Sequence, residues 1–148
     1  MDKEVLDHLK ALHTSEIDAR NGYEEALEDA EGRGLTPLFR DMFGLHESNA
    51  DELGGVLIEA GEIASPDGSF MSVIHRTIMN ARSLFDALGD SVLPGLIDGE
   101  KRNVEKYDKV LSSAAFPGPI GQLLTEQRKR IQERIALMET ERADSLQN

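Results

Sequence analysis

Two glutamates sit in the middle of helical apolar stripes, each followed by a tyrosine seven residues on, and they are the residues of this chain best placed to do chemistry. The first stripe reads Leu9, Leu12, Glu16, Ala19, Tyr23, Ala26, Ala30, and the second Leu93, Leu96, Glu100, Asn103, Tyr107, Val110, Ala114. The spacing is the same at every step, and five of the seven residue types coincide. Steps of three and four place each set on one helical face, the face that packs inward. A carboxylate there is costly unless a cation or hydrogen-bond donors meet it. Two of them on related helices point to a shared divalent metal or to a buried polar network.

His46 is the natural third member. It lies in the inward row Phe39, Met42, His46, Asn49, Leu53, Val56, Ala60 of a separate helix. Glu16, His46 and Glu100 together offer two carboxylates and an imidazole, enough to hold one divalent ion (iron, manganese or zinc) with open coordination positions. Tyr23, Tyr107, Asn49 and Gln127 are expected as the surrounding hydrogen-bond partners. A di-iron oxidase centre asks for more, namely a Glu from each of two helices and a Glu-x-x-His motif from each of two others. At that spacing this chain has His46 with Asn49 and Gln127 with Arg130, which argues against an oxidase. The same residues can instead form a metal-free polar layer with Arg130 as counter-charge, fixing helix register at some cost in stability. A non-catalytic structural or interaction role with such a layer is the favoured reading, and a divalent-metal-binding protein is the alternative.

The remaining reactive side chains carry blander expectations. His8 and His13 lie off the inward row and read as surface residues. His75, next to Arg76, reads as packing. Met42, Met71, Met79 and Met138 have helical spacing and read as core filler. No Ser, His and Asp set forms a nucleophilic arrangement, and no glycine run follows a strand to cradle phosphate.

Helices must position all of these groups, because no stretch alternates with period two. The first helix is expected over about Asp2–Glu31, ending in Gly32-Arg33-Gly34. Thr36 then caps a second, with Pro37 in its first turn, and Gly61 ends it. Gly44, Gly54 and Gly55 weaken that helix intrinsically and leave room for a close neighbour. Ser65-Pro66-Asp67-Gly68-Ser69 reads as a loop. A third helix carries Phe70, Ile74, Thr77, Ala81, Leu84 and Leu88 and breaks at Gly89-Asp90. A fourth, with Pro94 in its first turn or at its start, bears the second Glu/Tyr stripe. After Pro117-Gly118-Pro119 a fifth presents Ile120, Leu124, Gln127, Ile131, Ile135 and Met138, and the tail at about 142–148 is expected to fray. The fold class is therefore all-α, a ferritin-like four-helix bundle (up-down-down-up) with an additional crossover helix between the second and third bundle helices.

Length and composition set the outer limits. The chain of 148 residues suits a single domain spanning 1–148. Only 5% of residues are aromatic and there is no Trp, so the core rests on aliphatic side chains and Met. The net charge of -12 argues against nucleic acid and anionic membranes as partners. No apolar run approaches the roughly 20 residues of a membrane helix, and Met1–Lys10 lacks a signal-peptide core. A cytoplasmic protein is the resulting expectation. The absence of cysteine excludes disulfides, thiolate metal sites and thiol nucleophiles. Packing faces on the third helix suggest a homodimer.

Taken with Gly22-Tyr23, Glu52-Leu53, Gly68-Ser69, His75-Arg76, Gly99-Glu100 and Tyr107, the chain resembles a bacterial domain-of-unknown-function family of ferritin-like four-helix-bundle proteins. The resemblance runs over about Leu6–Met138. It implies the ferritin-like fold, no assigned reaction and a loosely suggested part in stress response. It also marks Glu100 as a shared acidic position and Asp18 as a possible replacement for Glu16 at the inward site. His46 falls where that family holds no histidine.

Overall fold

The computed structural model describes residues 2–29, 35–66, 68–70 and 92–147, with the backbone alone at 29 and 144–147. Its regular elements are four helices: α1 (Lys3–Asp29), α2 (Thr36–Glu59), α3 (Val92–Ser113) and α4 (Gly118–Gln147). No strand occurs among the described residues. The helix expected from Phe70 to Leu88, with its proposed dimer face, its crossover role and His75, lies outside them apart from Phe70. So do the expected glycine cap at 32–34 and the break at Gly89-Asp90.

Local chemistry explains where the helices start and stop. Leu35, with helical φ and ψ, is the N-cap of α2 and makes no side-chain cap bond. Its carbonyl accepts from the Phe39 amide at 3.0 Å. Thr36, expected as the cap, is therefore the first helical residue, because the turn opens one residue early; Pro37 follows in the first turn, where a missing N–H is tolerated. The C-terminus of α2 closes with a paired hydrogen-bond signature. The Glu62 amide donates to the Leu57 carbonyl and the Gly61 amide to the Ile58 carbonyl, both at 3.0 Å. That geometry requires a left-handed residue between helix and loop, and Gly61 supplies it with φ of 90°. The following loop is pinned by the Ser65 amide on the Ser69 carbonyl at 2.8 Å, with Gly68 at φ 85°. Pro94 falls in the first turn of α3. The Pro117 carbonyl accepts from the amides of Ile120 and Gly121 and so launches α4. Helix α4 continues to Gln147, through the segment expected to fray.

Cross-helix contacts give the directions. Tyr23 packs on Phe39 at the far end of α1 while Lys10 pairs with Glu62 beyond the end of α2, so α1 and α2 are antiparallel. Tyr107–Gln127 and Lys101–Glu139 make α3 and α4 antiparallel in the same way. Between the two hairpins, Glu16–Tyr107 with Tyr23–Glu100 orders α1 against α3, and Asp41–Arg134 with Asn49–Arg130 orders α2 against α4; both pairs are antiparallel. The inward stripes largely follow the expected spacing, but Leu57 is buried where Val56, which is half-buried, was expected, and Ile97 is buried where Leu93, also half-buried, was expected. Leu9, Leu12, Phe39, Met42, Leu53, Leu57, Leu96, Ile97, Leu124, Ile131 and Met138 are buried together.

Gly61, just beyond α2, and Gly44, within it, should respond oppositely to the same substitution. Gly61→Ala places a Cβ on a left-handed residue and is expected to cost about 1–2 kcal/mol. Gly44→Ala, whose Cβ would meet nothing within 4 Å, should gain about 0.5–1 kcal/mol of helix stability. Urea unfolding of the two variants beside the parent chain checks both signs.

Candidate functional site

The two stripe glutamates meet in the middle of the bundle with His46 between them. The stripe spacing turns Glu16 inward on α1 and Glu100 inward on α3, and both are 1% exposed. His46, fully buried, reaches from α2. Its Nδ1 stands 2.8 Å from Glu16 Oε2, and its Nε2 stands 2.8 Å and 3.0 Å from the two oxygens of Glu100. Both ring nitrogens thus face carboxylates, and an imidazolium donating from each satisfies the pair at once.

The tyrosines cross over. Tyr23 of α1 donates to Glu100 Oε2 of α3 at 3.0 Å, and Tyr107 of α3 donates to Glu16 Oε1 of α1 at 3.2 Å. Each stripe therefore supplies an acid to one bond and a phenol to the other. The Tyr107 hydroxyl also lies 3.0 Å from Gln127 Oε1, so its single hydrogen is shared between Glu16 and Gln127. The Gln127 amide is oriented by its Nε2, which donates to the Asn49 carbonyl at 3.2 Å. Tyr23 stacks on the His46 ring, with centroids 5.7 Å apart and planes 13° off parallel. Asn103 completes the Glu100 end with a 2.6 Å bond from its Nδ2 to Oε1. Outside Asn103, Lys106 donates to Asn103 Oδ1 and to Ser15 Oγ, linking the layer to the surface between α1 and α3.

Electrostatics follow from burial and pairing. Burial alone would push the His46 imidazole down, but the charges of Glu100 and Glu16 and their hydrogen bonds outweigh it and hold the ring at about 10. Burial would raise Glu100; the His46 charge, with bonds from His46, Asn103 and Tyr23, brings it below the ordinary carboxylate range. Both phenols are pushed well up by burial first and then by the carboxylate each one touches. At neutral pH the layer consists of one cation, two anions and two neutral phenols.

All seven residues expected from the sequence lie here, although not in equal roles. Glu16, His46 and Glu100 form the centre, Tyr23 and Tyr107 donate to it, and Gln127 touches it through Tyr107. Asn49 is buried one turn from His46; it serves the layer through its backbone carbonyl, while its side-chain Oδ1 accepts from Arg130 at 3.1 Å. Its Nδ2 has no partner among the described residues. Arg130, expected as the counter-charge, is not at the centre. It pairs with Glu52 at the half-buried edge of the α2–α4 contact, and His46 is the internal cation instead. Asp18 is half-buried, and Glu16 holds the inward position. His13, expected at the surface, is 4% exposed, because Gly54 of α2 leaves space for its ring. Two partners escaped the sequence reading: Asn103, which its place three residues after Glu100 could have signalled, and Glu52, which had no spacing cue.

No group of three His, Asp or Glu side chains among the described residues is arranged to hold a metal ion. The imidazole occupies the space between the carboxylates, and as an imidazolium it has no lone pair to offer. In this geometry the imidazole and the two carboxylates are engaged with one another. No helix among the described residues is long and apolar enough to cross a membrane.

A family model described as a domain of unknown function (DUF2383) matches residues 4–113. The matched range takes in α1, α2 and α3 with Glu16, His46 and Glu100, and stops short of α4, although the resemblance had been expected to reach Met138. No curated protein and no solved structure matches the chain.

The charge state of the layer sets a pH window for stability. A histidine raised from 6.5 to about 10 contributes stability that is complete below its unfolded value and is lost as pH rises through about 10. A carboxyl held low, as Glu100 is, contributes above its unfolded value and loses that contribution on acidification. Chemical denaturation across pH is therefore expected to show a plateau between the ordinary carboxylate value and about pH 6.5, and a decline from there toward pH 10. In His46→Gln the alkaline decline should flatten.

Proposed function

We propose that this chain, which belongs to the DUF2383 family of unknown function, is a non-catalytic helical scaffold whose buried ion layer keys two hairpins together in one register. A ferritin-like arrangement of the four helices is part of the proposal, supported by the four antiparallel pairings. The observation that carries the reading is the commitment of both His46 nitrogens to carboxylates. The layer brings its own cation, and every charged group in it already has a partner. A catalytic acid or base needs a free lone pair or proton facing a substrate, and these groups spend theirs on one another. The role left to such a layer is specificity of assembly, within a protein that acts by interaction or structure, including a stress-related role.

The second reading is a divalent-metal site of iron, manganese or zinc on Glu16, His46 and Glu100. It is favoured by one observation, the convergence of two carboxylates from different helices on one imidazole. For an ion to enter, His46 would have to surrender its proton and one of its carboxylate bonds.

Substitution separates structural from inorganic roles. His46→Leu strands two buried carboxylates and is expected to cost about 3–5 kcal/mol in urea unfolding. The Glu16→Leu/His46→Leu/Glu100→Leu triple variant should recover most of that loss, since no uncompensated charge remains. It should also lose the single set of sharp amide resonances that a unique register produces. A triple variant with one sharp set would sink the register role. Elemental analysis of the untagged protein beside Glu16→Gln/Glu100→Gln should find equally low metal in both. Stoichiometric metal in the parent alone would put the ion in place of the scaffold.

A further inference from the structure

We propose that His13 is an acid-sensitive seat for Phe70, releasing the loop after α2 from the α1–α2 hairpin when its ring becomes charged. The two rings meet edge to face, centroids 5.1 Å apart and planes at 88°. Both are nearly sealed from water, His13 at 4% and Phe70 at 4% exposure. Gly54 makes the pocket possible. A Cβ at Gly54 would stand 3.6 Å from His13 Nε2 and 3.7 Å from the Phe70 ring, so both rings lie directly against the α2 backbone. No other contact of this kind joins Phe70 to a titratable ring among the described residues.

His13 is a poor place for a positive charge. Its Nδ1 is buried without a hydrogen-bond partner among the described residues, so a proton added there finds no acceptor among them. The charged groups around it come from both helices of the hairpin. Arg20 of α1 opposes a second cation and Asp51 of α2 favours one, while Glu62 of the loop is already held by Lys10 at 3.1 Å. Burial is the largest influence, and with Arg20 it outweighs Asp51, so the ring is held below its usual 6.5. The neutral ring is thus the docked state. Its contribution is complete above the unfolded value and declines as pH falls below it, toward the lowered folded value. Protonation becomes favourable only if the ring reaches water, and leaving its pocket removes the face on which Phe70 rests.

This window differs from that of the central layer. His46 fails above about 10 and Glu100 below the carboxylate range, so a mildly acidic solution loosens the Phe70 seat while the helices stay paired. The device is independent of the scaffold reading, and neither outcome decides the other.

The test labels the full chain with 4-fluorophenylalanine, giving five fluorine resonances, and follows them from about pH 7.5 to about pH 5. The Phe70 signal is expected to move toward its position in urea while those of Phe39 and Phe43 stay in place. Amide exchange at 62–70, corrected for its intrinsic pH dependence, should accelerate by about tenfold. His13→Phe, which keeps an aromatic ring and cannot titrate, should hold the Phe70 signal still. His13→Gln provides a second non-titrating chain, and circular dichroism checks that each variant is folded. A Phe70 signal indifferent to pH in the parent chain overturns the proposal. So does an equal movement in either folded variant.

Discussion

An imidazolium pinned between two carboxylates, all three side chains buried, is the constraint that the remainder of the bundle serves. Taking three charged groups out of water costs several kcal/mol per ion unless their geometry is good. Here it is good on both sides, with ring-to-oxygen distances of 2.8 Å to Glu16 and 2.8 Å to Glu100. Each member comes from a different helix, so the three backbones must stand at one separation and one height. Tyr107 then satisfies the Glu16 oxygen that the imidazole leaves open, while Tyr23 and Asn103 add a second bond to each Glu100 oxygen. The apolar side chains above and below supply most of the driving force, and in the proposed scaffold role the ions select among apolar packings.

The layer is a near-duplicate that departs from symmetry at one place. Acid and phenol recur on α1 and α3 at the same spacing, and their bonds are reciprocal. On α2 and α4 the corresponding inward positions hold His46 and Gln127. One of the two is therefore a ring that can carry charge and the other an amide that cannot, and the layer as a whole keeps an acidic surplus of one. Two histidines would neutralise it, but the second would have to displace the Gln127 amide that joins Tyr107 to the Asn49 carbonyl. The asymmetry places the acidic surplus beside hydroxyl and amide dipoles that tolerate it.

Much of this was legible in the residues. The period of three and four on four separate segments dictates helices, and the glutamates within those stripes had to find partners because their faces point inward. Tyr23 and Tyr107 were recognisable for the same reason, seven residues along the same face. What the spacing could not give was pairwise reach. Arg130 was the expected counter-charge and His46 only a member of the layer, and only the distance between helices places the short imidazole at the centre as its cation and leaves the long guanidinium on Glu52 at the edge. His13 was misread because helical phase alone put it off the inward row. Its burial depends on a gap on the facing helix, created by Gly54, which no pattern within α1 contains. Thr36 illustrates a smaller limit: a good capping residue does not cap when the preceding residue already adopts helical angles.

Every ion of the layer belongs to the first three helices, and α4 brings only a neutral amide to it. Since synthesis runs from α1 onward, the two anions and their cation can find one another while one flank is still hydrated. Arrival of α4, carrying Leu124, Ile131 and Met138, then dries a cluster whose charges are already matched. The expensive dehydration step falls on a closed circuit instead of on separated ions, and the last helix acts as the stopper that seals it.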